Sequence, residues 1–142
     1  MTTSEEPRLR GLIEADTIKY WQTLGITIAS IEVGRLRLAL PMRPELGTYR
    51  RDHVMHGGAI ASLIDAAGSV ARTLQTPDEP AWTAVATTDL NVSYLEAATT
   101  NLTADARVLR AGRTVAFVEV EVRNTEDTLV AIGRATIAIR RA

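Results

Sequence analysis

The amino-acid sequence predicts an α+β fold: one domain in which an antiparallel sheet packs across the apolar face of a single long helix. Three observations carry this expectation. Gly57 to Leu74 repeats apolar residues at helical spacing. About six further runs alternate apolar and polar residues with period two. The chain has 142 residues, which suits one domain spanning 1–142 and buries enough surface to need no staples.

In chain order, residues 1–7 read as a flexible tail ending at Pro7. Between Arg8 and Leu24, apolar residues at Leu9, Leu12, Ile13, Ile18, Tyr20, Trp21 and Leu24 make a rough helix, closed by Gly25. Ile26 to Val33 and Leu36 to Leu40 alternate around a turn at Gly34-Arg35 and read as a hairpin. Residues 41–56 hold Pro41, Pro44 and Gly47 and read as a loop. In the helix from Gly57, steps of about 100° put Ile60, Leu63, Ile64, Ala67, Val70, Ala71 and Leu74 on one face. Gly58, Ala61, Ser62, Asp65, Ser69 and Arg72 fall on the opposite stripe. A second loop spans 75–80. Four alternating strands follow: Ala84–Leu95, Leu102–Leu109, Thr114–Arg123 and Leu129–Ile139. Gly112-Arg113 and Asn124 to Asp127 are the turns between the last three.

Composition removes several function classes. There is no cysteine, so disulfides, thiol nucleophiles, thiolate zinc and iron–sulfur sites are excluded. The net charge of −1 offers no basic field for nucleic acid and no polybasic membrane patch. No run approaches the roughly 20 apolar residues of a membrane helix. The polar, acidic start of the chain does not resemble a secretory signal, and the expected location is cytoplasmic. Nucleophile-elbow, phosphate-loop and zinc-helix motifs are absent. Asp52, His53 and His56 lie close in sequence, but so short a stretch rarely closes a metal site alone, and no metal or cofactor is expected.

The segment from His53 to Asp65 is the most informative. Gly57 and Gly58 open the helix, where bare N–H groups at the positive end of the dipole suit a polarised carbonyl or oxyanion. A plain turn into the helix would use the same glycines. Asp65 sits mid-helix among Leu63, Ile64, Ala66 and Ala67, a position where Asp is a poor helix former. It is a functional carboxylate, a satisfied core acid, or a member of the exposed stripe with Ser62, Ser69 and Arg72.

His56-Gly57-Gly58 followed by Leu63-x-Asp65 resembles the signature of the hotdog-fold acyl-CoA thioesterases, in the phenylacetate-pathway branch related to 4-hydroxybenzoyl-CoA thioesterases. Thr87 to Leu95, Gly112 to Phe117 and Gly133 to Thr136 resemble the same branch, so the likeness covers about residues 20–140. The resemblance implies a hotdog domain that cleaves an acyl-CoA to a free acid and CoA. It implies Asp65 as general base or nucleophile and Gly58, or Gly57 beside it, as the amide that polarises the thioester carbonyl. His56 matches the family's His before the glycines, and Thr87 a hydroxyl that orients the attacking water. Arg50 stands where the family often has Asn, and His53 where it often has Gly. Arg50 is longer and cationic, which points to a CoA phosphate or an acidic acyl group instead. Arg110 and Arg113 are further candidates for CoA phosphates. The acyl pocket is expected among the small helix residues and loops 41–56 and 75–82, with Trp82 contributing.

Geometry adds an expectation about assembly. Gly58 and Asp65 are seven residues apart, so they share a helix face within about 20° but lie about 10 Å apart along the axis. An oxyanion donor and a base must each come within about 3 Å of one reacting group. One helix can hardly supply both, whereas a two-fold axis places Asp65 of one copy opposite Gly58 of another. A homodimer is expected, with a dimer of dimers beyond it. Two other readings stand beside the thioesterase. One is a hotdog hydratase or dehydratase using His56 with Asp65; the other is a non-catalytic acyl-CoA-binding protein.

Overall fold

The computed structural model describes residues 5–14, 19–48 and 51–141. Among the described residues, eleven elements of regular α or β structure follow one another: α1 (Glu5–Glu14), α2 (Lys19–Leu24), β1 (Thr27–Glu32), β2 (Arg35–Leu40), β3 (Gly47–Thr48), β4 (Arg51–Met55), α3 (Gly57–Ala67), β5 (Ala84–Tyr94), β6 (Leu102–Ala111), β7 (Val115–Arg123) and β8 (Leu129–Arg140). Six strands make one antiparallel sheet in the order β1-β2-β6-β7-β8-β5. Strands β1 and β2 meet at a turn where Gly34 takes φ +78, a backbone state open to glycine.

Period-two patterning sorts the sheet's faces. Leu36, Leu38 and Leu40 of β2, Ala104 and Ala106 of β6, Val118, Val120 and Val122 of β7, and Ala135, Ile137 and Ile139 of β8 are buried. The other face carries alternating charge. Arg35 pairs with Asp105 at 2.7 Å and Arg107 with Glu119 at 2.7 Å. Hydrogen bonds from Arg35 hold the Asp105 carboxyl below the usual carboxylate range.

Helix α3 lies on the apolar face. Ile60, Leu63, Ile64 and Ala67 are buried, as the periodicity predicts. The helix does not stay α-helical to Leu74: from Gly68 to Leu74 it tightens into a 3-10 turn that still buries Val70 and Ala71. Close approach demands glycine on the facing strand. A Cβ at Gly133 of β8 would lie 2.6 Å from Ile64 Cγ2 and 3.0 Å from the Asn91 carbonyl. That contact seats the middle of the helix against β8 and β5.

Several expectations need correction. The helix read from Arg8 to Leu24 is two pieces, α1 and α2, with residues 15–18 outside the described ones. Part of the supposed tail is helical: α1 starts at Glu5, where Glu5 and Glu6 face the positive end of its dipole. Leu9 and Ile13 bury this helix against the 68–74 turn. Within the supposed loop 41–56, a 3-10 turn spans Pro44–Leu46 and β3 pairs with β4. Trp82 is not among the residues that line the cavity beside Asp65. It is buried, its indole N–H donates to the Glu79 carboxylate, and the Arg141 guanidinium lies 4.8 Å from its ring centroid. Arg141 also donates to Glu79 at 2.6 Å, so the cluster ties loop 75–82 to the end of β8.

At the sheet's edge, β5 pairs only with β8 among the described residues, and none of its positions is fully buried. Leu90 and Tyr94 are exposed along it. Among the described residues no helix is long and apolar enough to cross a membrane.

Candidate active site

Two short backbone bonds set the start of α3. Met55 N–H donates to Ala98 O at 2.8 Å and His56 N–H to Leu46 O at 2.7 Å. His56 is then extended, with φ −60 and ψ 136, and acts as the N-cap. Its ring Nδ1 accepts the Gly58 N–H at 2.8 Å, which leaves the neutral ring's proton on Nε2. Its carbonyl accepts from Ala59 N–H at 3.0 Å and from Ile60 N–H at 3.4 Å. Of the helix's first four amides, Gly57 N–H alone has no partner among the described residues. The sequence offers Gly58 or Gly57 as the carbonyl-polarising amide. The local geometry leaves Gly57 open and engages Gly58 with His56.

Asp65 is exposed in the single chain, not a core acid. It has no hydrogen-bond or ion-pair partner among the described residues. The stripe Ser62, Asp65, Ser69 and Arg72 forms one wall of a cavity of about 400 Å³. Tyr20 and Trp21 of α2 form another, and Val85, Thr87 and Ile137 line it from the sheet. The structure thus brings Thr87 and Asp65 to the lining of one cavity, although they are 22 positions apart in sequence. Ser62 Oγ donates to Gly58 O at 2.8 Å and lies 3.0 Å from the Tyr20 hydroxyl. Ser69 Oγ is buried and lacks a hydrogen-bond partner. A hydroxyl in that state, one turn from a carboxylate, calls for a water or a ligand.

Not every candidate gathers there. Gly57 and Asp65 are eight residues apart, about 12 Å along the helix at 1.5 Å per residue. His56, Gly57 and Gly58 therefore stand at the far end of α3 from the cavity. Arg110 pairs with Phe117 on β7, Arg113 occupies the β6–β7 turn, and neither lines the cavity. Arg50 lies outside the described residues. His53 is exposed on β4. The sequence places Ser69 on the polar stripe without a role, and Tyr20 and Trp21 only in the apolar pattern of a rough helix. It did not single out Tyr94, whose hydroxyl donates to Gly57 O at 2.7 Å. A Tyr within the quoted strand motif was the only available signal.

Comparison with known proteins agrees with this architecture. The sequence pattern of the thioesterase superfamily matches residues 52–131. A candidate esterase of Halobacterium salinarum is 38% identical over 125 residues, covering 83% of this chain and 82% of that protein. A medium/long-chain acyl-CoA thioesterase of Salmonella typhimurium is 28% identical over 150 residues, covering 98% and 97%. The fold matches the PaaI protein of the Escherichia coli phenylacetic acid degradation operon with a TM-score of 0.81, at 20% identity, over 96% of this chain and 95% of that one. The family match takes in α3 with its capped glycines and Asp65, together with β5, which lines the cavity with Val85 and Thr87. The chain belongs to the thioesterase superfamily and is a hotdog-fold thioester hydrolase.

Proposed function

We propose that the protein hydrolyses acyl-CoA thioesters at a site shared by two copies of the chain. One observation carries the reading: the exposed carboxylate of Asp65 and the unpartnered amide of Gly57 share a helix yet stand about 12 Å apart. A carbonyl bound at Gly57 is out of reach of Asp65 in the same chain. An antiparallel partner helix, related by a two-fold axis, brings one of each together twice. The uncovered edge of β5 supports that arrangement, because its hydrogen-bonding groups and exposed Leu90 await a neighbour.

In this reading the Gly57 amide and the helix dipole hold the oxygen of the tetrahedral intermediate. Asp65 takes a proton from water as the water attacks the thioester carbon. The unpartnered Ser69 hydroxyl and nearby Thr87 give that water hydrogen-bond partners, which favours Asp65 as base over Asp65 as nucleophile. The intermediate then expels CoA thiolate, and the acid leaves. His56 caps the helix and keeps Gly58 N–H occupied. Ile13, Trp21, Val85 and Ile137 make an uncharged wall suited to an apolar acyl group. Arg50, Arg110 and Arg113 are proposed for the CoA phosphates, acting from outside this cavity. The expected assembly is a dimer, with a dimer of dimers beyond it, working in the cytoplasm. A hydratase would need His56 to serve with a carboxylate, but its Nδ1 is held by its own helix start.

A panel of acyl-CoAs with a thiol reagent tests the reading, and the chain adds no cysteine background. Release of CoA from at least one acyl-CoA, abolished by Asp65→Asn, supports hydrolysis. Loss of enoyl absorbance without thiol release replaces it with a hydratase, and tight binding without turnover with a binding protein.

A further inference from the structure

We propose that Tyr94 is a positioning residue for the thioester carbonyl, holding the Gly57–Gly58 peptide so that the amide at the start of α3 keeps its aim. The inference rests on the reading of that helix start as the oxyanion site. Tyr94 ends β5 and reaches across to α3, where its hydroxyl donates to Gly57 O at 2.7 Å. That carbonyl shares a peptide unit with Gly58 N–H, which donates to His56 Nδ1 at 2.8 Å. One peptide plane is therefore held at both ends, by side chains from two different elements.

The need for such a clamp follows from the sequence. Two consecutive glycines have more backbone freedom than any other pair. The Gly57 N–H belongs to the preceding peptide, whose His56 carbonyl accepts from Ala59 and Ile60 N–H; with the following peptide held as well, the glycine between the two planes keeps little freedom to turn that amide. A donor fixed in advance stabilises an oxyanion without reorganising during the reaction. The same contact explains why residue 57 is glycine. A Cβ there would lie 3.1 Å from Tyr94 Cζ and 3.2 Å from its hydroxyl oxygen.

Exposure separates positioning from stability. In the single chain Tyr94 is 53% exposed, so there its hydroxyl would find water if the bond to Gly57 were absent. Exchanging one partner for water changes folding little, and what is lost is direction. A cavity of about 370 Å³ opens at this point, lined by Met55, Gly57, Ile60, Tyr94, Leu95 and Ala98 among others. The clamp therefore stands on a wall that a bound thioester can touch.

Tyr94→Phe in the full-length protein tests this, because it keeps the ring and removes the hydroxyl. Expected are a kcat lowered about tenfold, the scale of one hydrogen bond, with KM moving less than about twofold and an unchanged Tm. The Gly58 amide should exchange with solvent several-fold faster, while amides of β7 and β8 keep their protection. Unchanged kcat with unchanged Gly58 exchange overturns the proposal. So does a fall in kcat that comes with a lower Tm and a raised KM, since that marks packing. If the wild-type protein releases CoA from no acyl-CoA, the hydrolase reading fails on its own account. Gly58 exchange then decides the clamp, and equal rates in wild type and Tyr94→Phe overturn it.

Discussion

Replacing Asp65 by Asn removes one charge and almost nothing else, and the structure says how large each consequence should be. The carboxylate is exposed and makes no hydrogen bond or ion pair among the described residues. Its loss therefore breaks no network within one chain, and the change in the folding stability of each chain should stay within about 0.5 kcal/mol, as for an ordinary surface substitution. An acid buried against the apolar face would behave differently, gaining stability on neutralisation; exposure removes that expectation. Catalysis should respond far more. A positioned acid–base group contributes about 10²–10⁴ in rate, or about 2.7–5.4 kcal/mol of transition-state stabilisation at 1.36 kcal/mol per decade. Because the carboxylate acts on water in the transition state, the loss should fall on kcat and leave KM nearly unchanged. The assay is initial rate of CoA release over a range of acyl-CoA concentration, beside thermal unfolding of the same preparation. Retained kcat in a well-folded Asp65→Asn protein would refute the mechanism, whatever the fold.

Four further outcomes are expected. Mixing Asp65→Asn chains with Gly57→Val chains should restore activity after subunit exchange, to about a quarter of wild type for random dimers with one intact site in each mixed pair; no restoration would refute the shared site. Sedimentation should show at least a dimer, and an active species of 15.4 kDa would refute assembly as a requirement. Gly133→Ala should destabilise the protein by about 1–3 kcal/mol through overpacking against Ile64, and an unchanged Tm would show that the helix can shift. Finally, donation from the Trp82 indole holds the Glu79 carboxyl below its ordinary value. A depressed folded pKa stabilises the protein above the unfolded value and is lost as pH falls through the folded one. Unfolding followed by tryptophan emission should therefore show stability falling in acid, with a shallower fall in Glu79→Gln.

Much of the site was legible because its parts are local. Asp65, Ser62, Ser69 and Arg72 share a stripe by helical periodicity, and the cavity wall follows that stripe. The glycine pair after His56 marks the helix start in the sequence itself. What was not legible depends on contacts made through space. Whether Gly57 or Gly58 offers its amide turns on the rotamer of one imidazole. Whether Trp82 lines a pocket turns on where Glu79 and Arg141 meet it.

By itself, the sequence determined the class of the fold, the boundaries of the six strands of the main sheet within a few residues, the buried face of α3 and the family signature. These rest on short-range order, since a period of two or of 3.6 sorts side chains to faces before any partner is chosen. Only the tertiary structure decided the strand order that leaves β5 at the edge, the approach of Tyr20, Trp21 and Thr87 to Asp65, and the hold of Tyr94 on Gly57. Those relations join residues distant in the chain, and their geometry is set by how closely helix and sheet pack at Gly133 and Gly68. No local pattern encodes that distance.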